Sequence, residues 1–335
     1  MKQATSIKLP SLIKLSSIAS ILIGNAAFAE SYQSFSSLAY SQDNTTLSIP
    51  LADYHSKSDS DNLSLFSQYF FEERQALGPL NEFDYINSSS NIYALLSNND
   101  SESSTAYQGN DFGWENSSNS LNIGGQWISH HFLVGAGYNY TKYDVTYVSD
   151  ASDSPSVDRS DKGYSASLGY FLLENLVIRA DYYYDDTKHD YYNVDNDYFN
   201  YSASYNLQLS GSDYLGFTYN VDEDFDIHQL SSRYFLSLTQ ESYLVLGGDY
   251  TIDNSDNFFA EDRWSINSSY YFNTQTSVSV FYSKDDAFDM ADTYGIAASY
   301  FINNNYSVQA GYNTNDNDKY EADQDGYSLS FSAQF

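Results

Sequence analysis

The chain has 335 residues, with 45 acidic against 14 basic side chains, a formal charge of −31 and no cysteine. So strong a negative balance excludes nucleic acid as a partner, and the missing cysteine excludes a disulfide framework and thiol chemistry. Tyr 35, Phe 21 and Trp 3 make 18% of the chain aromatic, while the mean hydropathy is −0.50, a pairing that suits strands with one greasy and one wet face.

At the N-terminus Lys2, Lys8 and Lys14 form a basic region, residues 15–24 an apolar stretch, and Ala27-Phe28-Ala29 an A-x-A cleavage site. This reads as a secretory leader over residues 1–29, with the mature domain over residues 30–335. The apolar run is too short to cross a ~30 Å hydrocarbon core as a helix. No later stretch reaches the ~18 uninterrupted apolar residues of a spanning helix, so membrane insertion would have to use strands.

Residues 31–57 carry two alternating pieces, Tyr32 to Tyr40 and Leu47 to Leu51, interrupted near Pro50, and are taken as one long or interrupted first strand. Period-two segments then follow at 63–72, 87–98, 119–128, 130–147, 161–172, 175–187, 198–209, 212–222, 225–239, 242–253, 259–272, 275–284, 292–302, 305–315 and 325–335. The expected fold is an all-β, transmembrane, antiparallel up-and-down barrel of sixteen strands; fourteen and eighteen also satisfy the pattern. A barrel of this size encloses an aqueous channel.

Connections alternate in length. Ser129-His130, Glu174-Asn175, Ser210-Gly211, Gln240-Glu241, Asn273-Thr274 and residues 303–305 are tight turns, whereas 99–118, 148–160, 188–197, 254–258, 285–291 and 316–324 read as longer acidic loops. Short periplasmic turns opposite long extracellular loops are the asymmetry of bacterial outer-membrane barrels. The connection from Glu72 to Tyr85, with Gly78-Pro79 inside it, is too long for a tight hairpin and suits a segment lying across the periplasmic rim. An ordered turn is the plainer reading of it than a gate.

Alternation also assigns faces. Leu176, Ile178, Ala180 and Tyr182 belong on the lipid side, as do Leu215, Phe217 and Tyr219, then Leu244, Leu246, Tyr250 and Ile252, then Tyr294, Ile296, Ala298 and Tyr300. The expected pore-lining charges are Arg179, Asp181, Arg233, Asp249, Glu261 and Arg263, kept off the lipid face by a cost of roughly 2–4 kcal/mol for a midplane Arg or Lys. Asp150, Asp153, Asp158 and Arg159 on the 148–160 loop are candidates for an inward-folded constriction, with an ordinary exposed loop as the plainer alternative. Acidic rings favour cations. The final strand, with Tyr327, Leu329, Phe331, Ala333 and the terminal Phe335 on one face, resembles the signal by which the outer-membrane assembly machinery recognises its clients.

Residues 62–94 carry a family pattern: Tyr69-Phe70-Phe71, Gly78-Pro79-Leu80, Glu82 and Ser90-Asn91. The chain resembles the general bacterial porin family of Gammaproteobacteria over its whole mature length; Tyr85-Ile86 stands where that family has Phe-Leu. The resemblance implies a diffusion porin of the outer membrane and supplies no substrate and no catalytic residues; the reading of the whole chain is passive passage of small hydrophilic solutes, with no cofactor implied. Trimerisation is common among porins of this size, and the 99–118 segment with Trp114 could reach a neighbouring subunit.

The alternatives are a non-transporting adhesin or surface scaffold and an outer-membrane hydrolase. His55, His130, His131, His189 and His228 are the available imidazoles, read as solvated loop residues, with His130 and His131 in a periplasmic turn. No P-loop, G-x-S-x-G, H-E-x-x-H or dinucleotide fingerprint occurs. Asp222-Glu223-Asp224, Asp195-Asn196-Asp197 and Asp316-Asn317-Asp318 lack the EF-hand glycine and twelfth-position glutamate. They read as an acidic rim bridged loosely to lipopolysaccharide phosphates through Ca²⁺ or Mg²⁺.

Overall fold

A computed structural model describes residues 31–49, 53–107, 109–149, 156–189, 193–211, 213–255, 262–285, 292–317 and 321–335; the expected leader and its cleavage site lie outside these. The described residues form one closed barrel of sixteen antiparallel strands. The first half comprises β1 Ser31–Ile49, β2 Tyr54–Gln75, β3 Asn91–Tyr107, β4 Asn110–Ser129, β5 Phe132–Ser149, β6 Ser156–Leu173, β7 Leu176–His189 and β8 Asn193–Gln208. The second comprises β9 Tyr214–Asp222, β10 Ile227–Ser237, β11 Tyr243–Asp253, β12 Arg263–Tyr271, β13 Thr276–Asp285, β14 Asp292–Asn303, β15 Tyr306–Asn317 and β16 Glu321–Gln334.

Each strand pairs with its neighbours in sequence, and β1 with β16 from Phe35↔Gln334 to Ser48↔Glu321 closes the cylinder. The terminal residue takes part in the seal. The amides of Gln33 and Ser34 donate to the Phe335 carbonyl at 2.6 and 2.8 Å, and the Phe335 amide donates to Ser34 at 2.8 Å. Closure satisfies the edge that an open sheet would expose to lipid.

Apart from shifts at strand ends, between Tyr32/Ser34, Phe171/Leu173 and Phe301/Asn303, the registers run unbroken, so alternation along each strand holds one face outward throughout. Leu168, Ile178, Leu246, Ile296 and Leu329 project from the outer surface among the most exposed side chains. Ile178, Leu246 and Ile296 are among the lipid-facing positions expected from the sequence, and Leu329 lies on the expected apolar face of the final strand. Near the outer interface, tyrosine hydroxyls on this face donate to aspartates of adjoining strands or loops: Tyr40 to Asp61 at 2.5 Å, Tyr250 to Asp262 at 2.8 Å and Tyr312 to Asp325 at 2.5 Å. Each ring thus sits in the aromatic belt with its polar tip satisfied.

The barrel is uneven in height. β2 has 22 residues and β4 has 20, whereas β9 and β12 have 9 each. A tilted strand needs about 9–11 residues to cross the bilayer, so β9 and β12 do little more than span while β1–β6 rise well above the outer leaflet.

That height corrects several sequence-based boundaries. Residues 99–107 and 110–118 are not loop but the upper parts of β3 and β4, paired from Asn99↔Ser118 to Tyr107↔Asn110. Residues 188–197 belong mostly to β7 and β8, and 156–160 of the supposed 148–160 loop belong to β6. Residues 316–317 and 321–324 likewise belong to β15 and β16. Residues 54–57 belong to β2, so the expected first strand ends earlier, at Ile49. Above the membrane both strand faces meet water, and polar residues fill both, erasing the alternation that marks a spanning strand.

Candidate functional site: the bore and the segment that crosses it

The bore wall is built from the inward half of each alternation, and most of it is small and polar. Hydroxyls and amides interlock between neighbouring strands: Ser56 with Thr105 at 3.1 Å, Ser120 with Thr141 at 2.9 Å, Ser204 with Thr218 at 2.9 Å and Ser269 with Ser279 at 2.7 Å. Short side chains of this kind leave the cross-section open.

Charges on the wall are locally compensated. Arg179 lies 2.6 Å from Asp181, two residues along the same strand face, and also donates to Ser167 at 2.8 Å. Arg159 pairs in the same way with Asp161 at 2.7 Å. Asp249 accepts from Ser231 at 2.5 Å and Ser265 at 3.3 Å. Arg263 stands on the inward side of β12, opposite Thr251. Of the charges expected to line the pore, Arg179, Asp181, Arg233, Asp249 and Arg263 occupy inward positions, and Glu261 lies outside the described residues.

Of the candidate constriction residues, the two that are described do not lie on a loop. Asp158 and Arg159 are strand residues of β6, on alternate faces and paired in register with Asp144 and Tyr143. Asp150 and Asp153 lie outside the described residues. Trp114, considered for a subunit contact, is on the inward face of β4. His55 and His228 are strand residues of β2 and β10 rather than loop residues, with Nδ1 at 2.9 Å from the Ser48 hydroxyl and 2.6 Å from the Tyr219 hydroxyl. His130 and His131 occupy the β4–β5 turn, His130 with φ 56°.

Among the described residues the bore is narrowed from the periplasmic end, by the β2–β3 connection. Residues 76–90 leave β2 and reach the strands on the opposite side of the cylinder, since β10 and β11 face β2 and β3 in a ring of sixteen. The segment folds on itself first: the Leu77 amide donates to Glu82 O at 2.8 Å and the Glu82 amide to Pro79 O at 3.1 Å. Gly78, at φ 137°, permits this turn, and a Cβ there would meet the Tyr243 ring at 2.5 Å.

The far anchorage is partly ionic and partly apolar. Arg233 Nη2 donates to both carboxylate oxygens of Glu82, at 2.7 and 2.5 Å, and the Tyr271 hydroxyl donates to Glu82 Oε1 at 2.6 Å. Leu77 and Tyr85 pack against a buried cluster of Tyr214, Phe235, Tyr243, Val245 and Tyr271. Leu80 is buried; its amide donates to Thr274 O at 3.0 Å and its carbonyl accepts from Gln334 at 3.1 Å. Burying such a leucine is worth roughly 1.5–3 kcal/mol.

Nearer its origin the segment is held by Phe83, edge-on to Phe35 at 5.3 Å and covered by the Arg74 guanidinium at 4.9 Å, and by Arg74 donating to Asp84 O at 3.2 Å. Tyr85 seats over Gly216 and shares a 2.7 Å hydrogen bond with Thr218. Burial pushes its phenol above the ordinary value. The segment is therefore an ordered cross-member of the bore.

A closed, lipid-facing cylinder with a polar, water-accessible bore and an internal constriction defines a channel-type outer-membrane barrel. The chain belongs to the family described as "Putative general bacterial porin", whose model matches residues 9–335. No curated protein matches the sequence. Among solved structures, the fold is similar to the toluene transporter TbuX of Ralstonia pickettii, at 9% identity and TM-score 0.52, over 91% of this chain and 90% of that one. It is also similar to Omp33 of Acinetobacter baumannii, at 13% identity and TM-score 0.44, over 92% of this chain and 100% of that one. At such identities the likeness concerns the barrel alone.

Proposed function

We propose that the protein is a passive, cation-preferring diffusion channel for small hydrophilic solutes in the bacterial outer membrane, narrowed at its periplasmic end by residues 76–90. The observation that carries this reading is the bore itself: hydroxyl side chains from strands around the ring face it, and among the described residues the segment 76–90 is what crosses it. No reaction or energy input is needed for such transport.

Cation preference follows from which charges remain uncompensated. Arg159, Arg179 and Arg233 are each held by a carboxylate; of the inward charges without a salt-bridge partner among the described residues, Asp43, Asp185, Asp249 and Asp253 outnumber Arg74 and Arg263. In a low-dielectric wall a residual negative field draws cations. Recording reversal potential across a planar bilayer with a KCl gradient tests this: a cation-biased potential is expected, and an anion-biased or zero potential would overturn it.

A second reading has its own observation. The tall wall of β1–β6 presents Asp59, Asp100, Glu102 and Asp144 on its outward face above the membrane, which suits a surface scaffold or a rim bridged by divalent cations to lipopolysaccharide. A scaffold predicts no conductance steps. The proposal further includes removal of the leader before Glu30, recognition of the terminal strand through Tyr327, Leu329, Phe331 and Phe335 by the assembly machinery, and a homotrimeric assembly.

A further inference from the structure

The upper halves of β2, β3 and β4 separate their side chains by kind. Lys57, Asp59, Asp61, Asp100, Glu102, Asp111 and Glu115 all stand on the outward face. The inward positions from Tyr54 to Ser64, from Ser97 to Tyr107 and from Asn110 to Asn122 carry serine, threonine, asparagine and aromatic rings, and no charge at all. In a chain with a net charge of −31, an uncharged surface this wide in the outer vestibule is a feature of composition, not of chance spacing.

Within that surface the aromatics are contiguous. Tyr54 lies edge-on to Tyr107 with centroids 6.3 Å apart. Phe112 follows diagonally on β4, Trp114 is its next inward neighbour, and Tyr147 on β5 stands directly opposite Trp114 in register. All face water rather than lipid. Tyr107 is 41% exposed, Phe112 52%, Trp114 37% and Tyr147 48%. A contiguous, exposed apolar patch on a wet surface marks a binding site.

We propose that this aromatic stripe is a binding track for uncharged, polyhydroxylated solutes, that is, sugars and short oligosaccharides. A pyranose ring has an apolar C–H face that lies flat on an aromatic ring, and a rim of hydroxyls that needs donors and acceptors at its edge. The stripe supplies the first. Beside it, the Ser56–Thr105 hydroxyl pair at 3.1 Å and the Asn99–Ser60 pair at 3.1 Å supply the second. An aromatic hydrocarbon would use the rings and leave these polar groups unmatched, and a charged solute would find no counter-ion on the inward faces of β2–β4 themselves, the inward Asp43 of β1 standing at their edge opposite Ser60. The stripe lies on the wall of the outer vestibule, upstream of the cross-member, where a solute held briefly is concentrated at the mouth.

This inference rests on the channel reading, and the test separates the two. Single channels of the whole protein are recorded in a planar bilayer in salt alone and then with maltohexaose on the side of the long strands. Saturable interruptions of the current are expected, weakened about tenfold or more in Trp114→Ala and, independently, in Tyr147→Ala, each variant's own open current serving as its reference. Normal steps without saturable block, equal block in the variants, or block by benzyl alcohol in place of the sugar would overturn the track and leave the channel standing. Absence of steps in salt alone would remove the channel reading. In that case, sugar titration of the tryptophan fluorescence of wild-type and Trp114→Phe protein in detergent decides the site: a saturable change lost in the variant supports it, and no change overturns it.

Discussion

Glu82 and Arg233 meet across the full width of the barrel: the carboxylate belongs to the connection between β2 and β3, the guanidinium to β10, and Nη2 lies 2.7 and 2.5 Å from the two oxygens. The carboxylate is buried, with only 4% of the residue exposed, and it also accepts from Tyr271. Removing one member of such a pair leaves the other charge stranded, at a cost of ~3–5 kcal/mol when burial is complete; partial hydration of Arg233 places this pair toward the lower figure. Arg233→Ala is therefore expected to unseat residues 76–90 and raise single-channel conductance, whereas Glu82→Gln, which keeps a hydrogen-bond acceptor, should raise it less. Equal, unchanged conductance in both variants would contradict the latch.

Gly78 makes a separate prediction. Its φ of 137° is closed to other residues, and an added methyl group would sit 2.5 Å from the Tyr243 ring. Gly78→Ala should cost roughly 1–3 kcal/mol in the seating of the segment and give noisier, larger current steps, while the barrel itself stays folded by its heat-dependent shift on gels.

The Tyr85 phenol gives the cross-member a pH dependence. Burial raises its ionisation above the ordinary value of 10.0, so the folded segment holds the neutral form. Its contribution is complete below pH ~10 and is lost as the pH rises through the raised value. Conductance should hold steady through neutral pH and increase in strong alkali. Tyr85→Phe removes the 2.7 Å bond to Thr218, worth about 1 kcal/mol, and should flatten that alkaline rise; superimposable profiles would count against the assignment.

Face assignment can be checked with two neighbours. Leu329 points to lipid and is 59% exposed in the isolated chain, whereas Ser328 points into the bore beside Gly311. Leu329→Arg should destabilise the barrel in lipid by ~2–4 kcal/mol in urea titration, and Ser328→Arg far less, changing selectivity instead. A reversal of that order would invert the wall.

The number of strands, their faces and the tight turns could be read from the sequence because a spanning strand must set lipid on one side against water on the other. Leu176-Val-Ile178-Arg179-Ala180-Asp181 states that contrast residue by residue. Above the bilayer the contrast disappears: Asp100 and Glu102 outward and Ser101 and Ser103 inward are all polar, so β3 and β4 were legible only as an acidic loop. The latch was harder still. Glu82 and Arg233 are separated by 151 positions and no local period joins them. The signal in the chain was indirect, a connection far longer than its fellows with Gly78-Pro79 inside it, which suited a segment across the rim without naming its anchor.

The central claim is that an open aqueous bore is narrowed by residues 76–90, and single-channel conductance of the wild type beside a variant in which 77–86 are replaced by a short Gly-Ser turn tests it most directly. The account predicts discrete, salt-dependent steps from the wild type and markedly larger ones from the variant. Steps of equal size from both, or no steps from either folded protein, would contradict it.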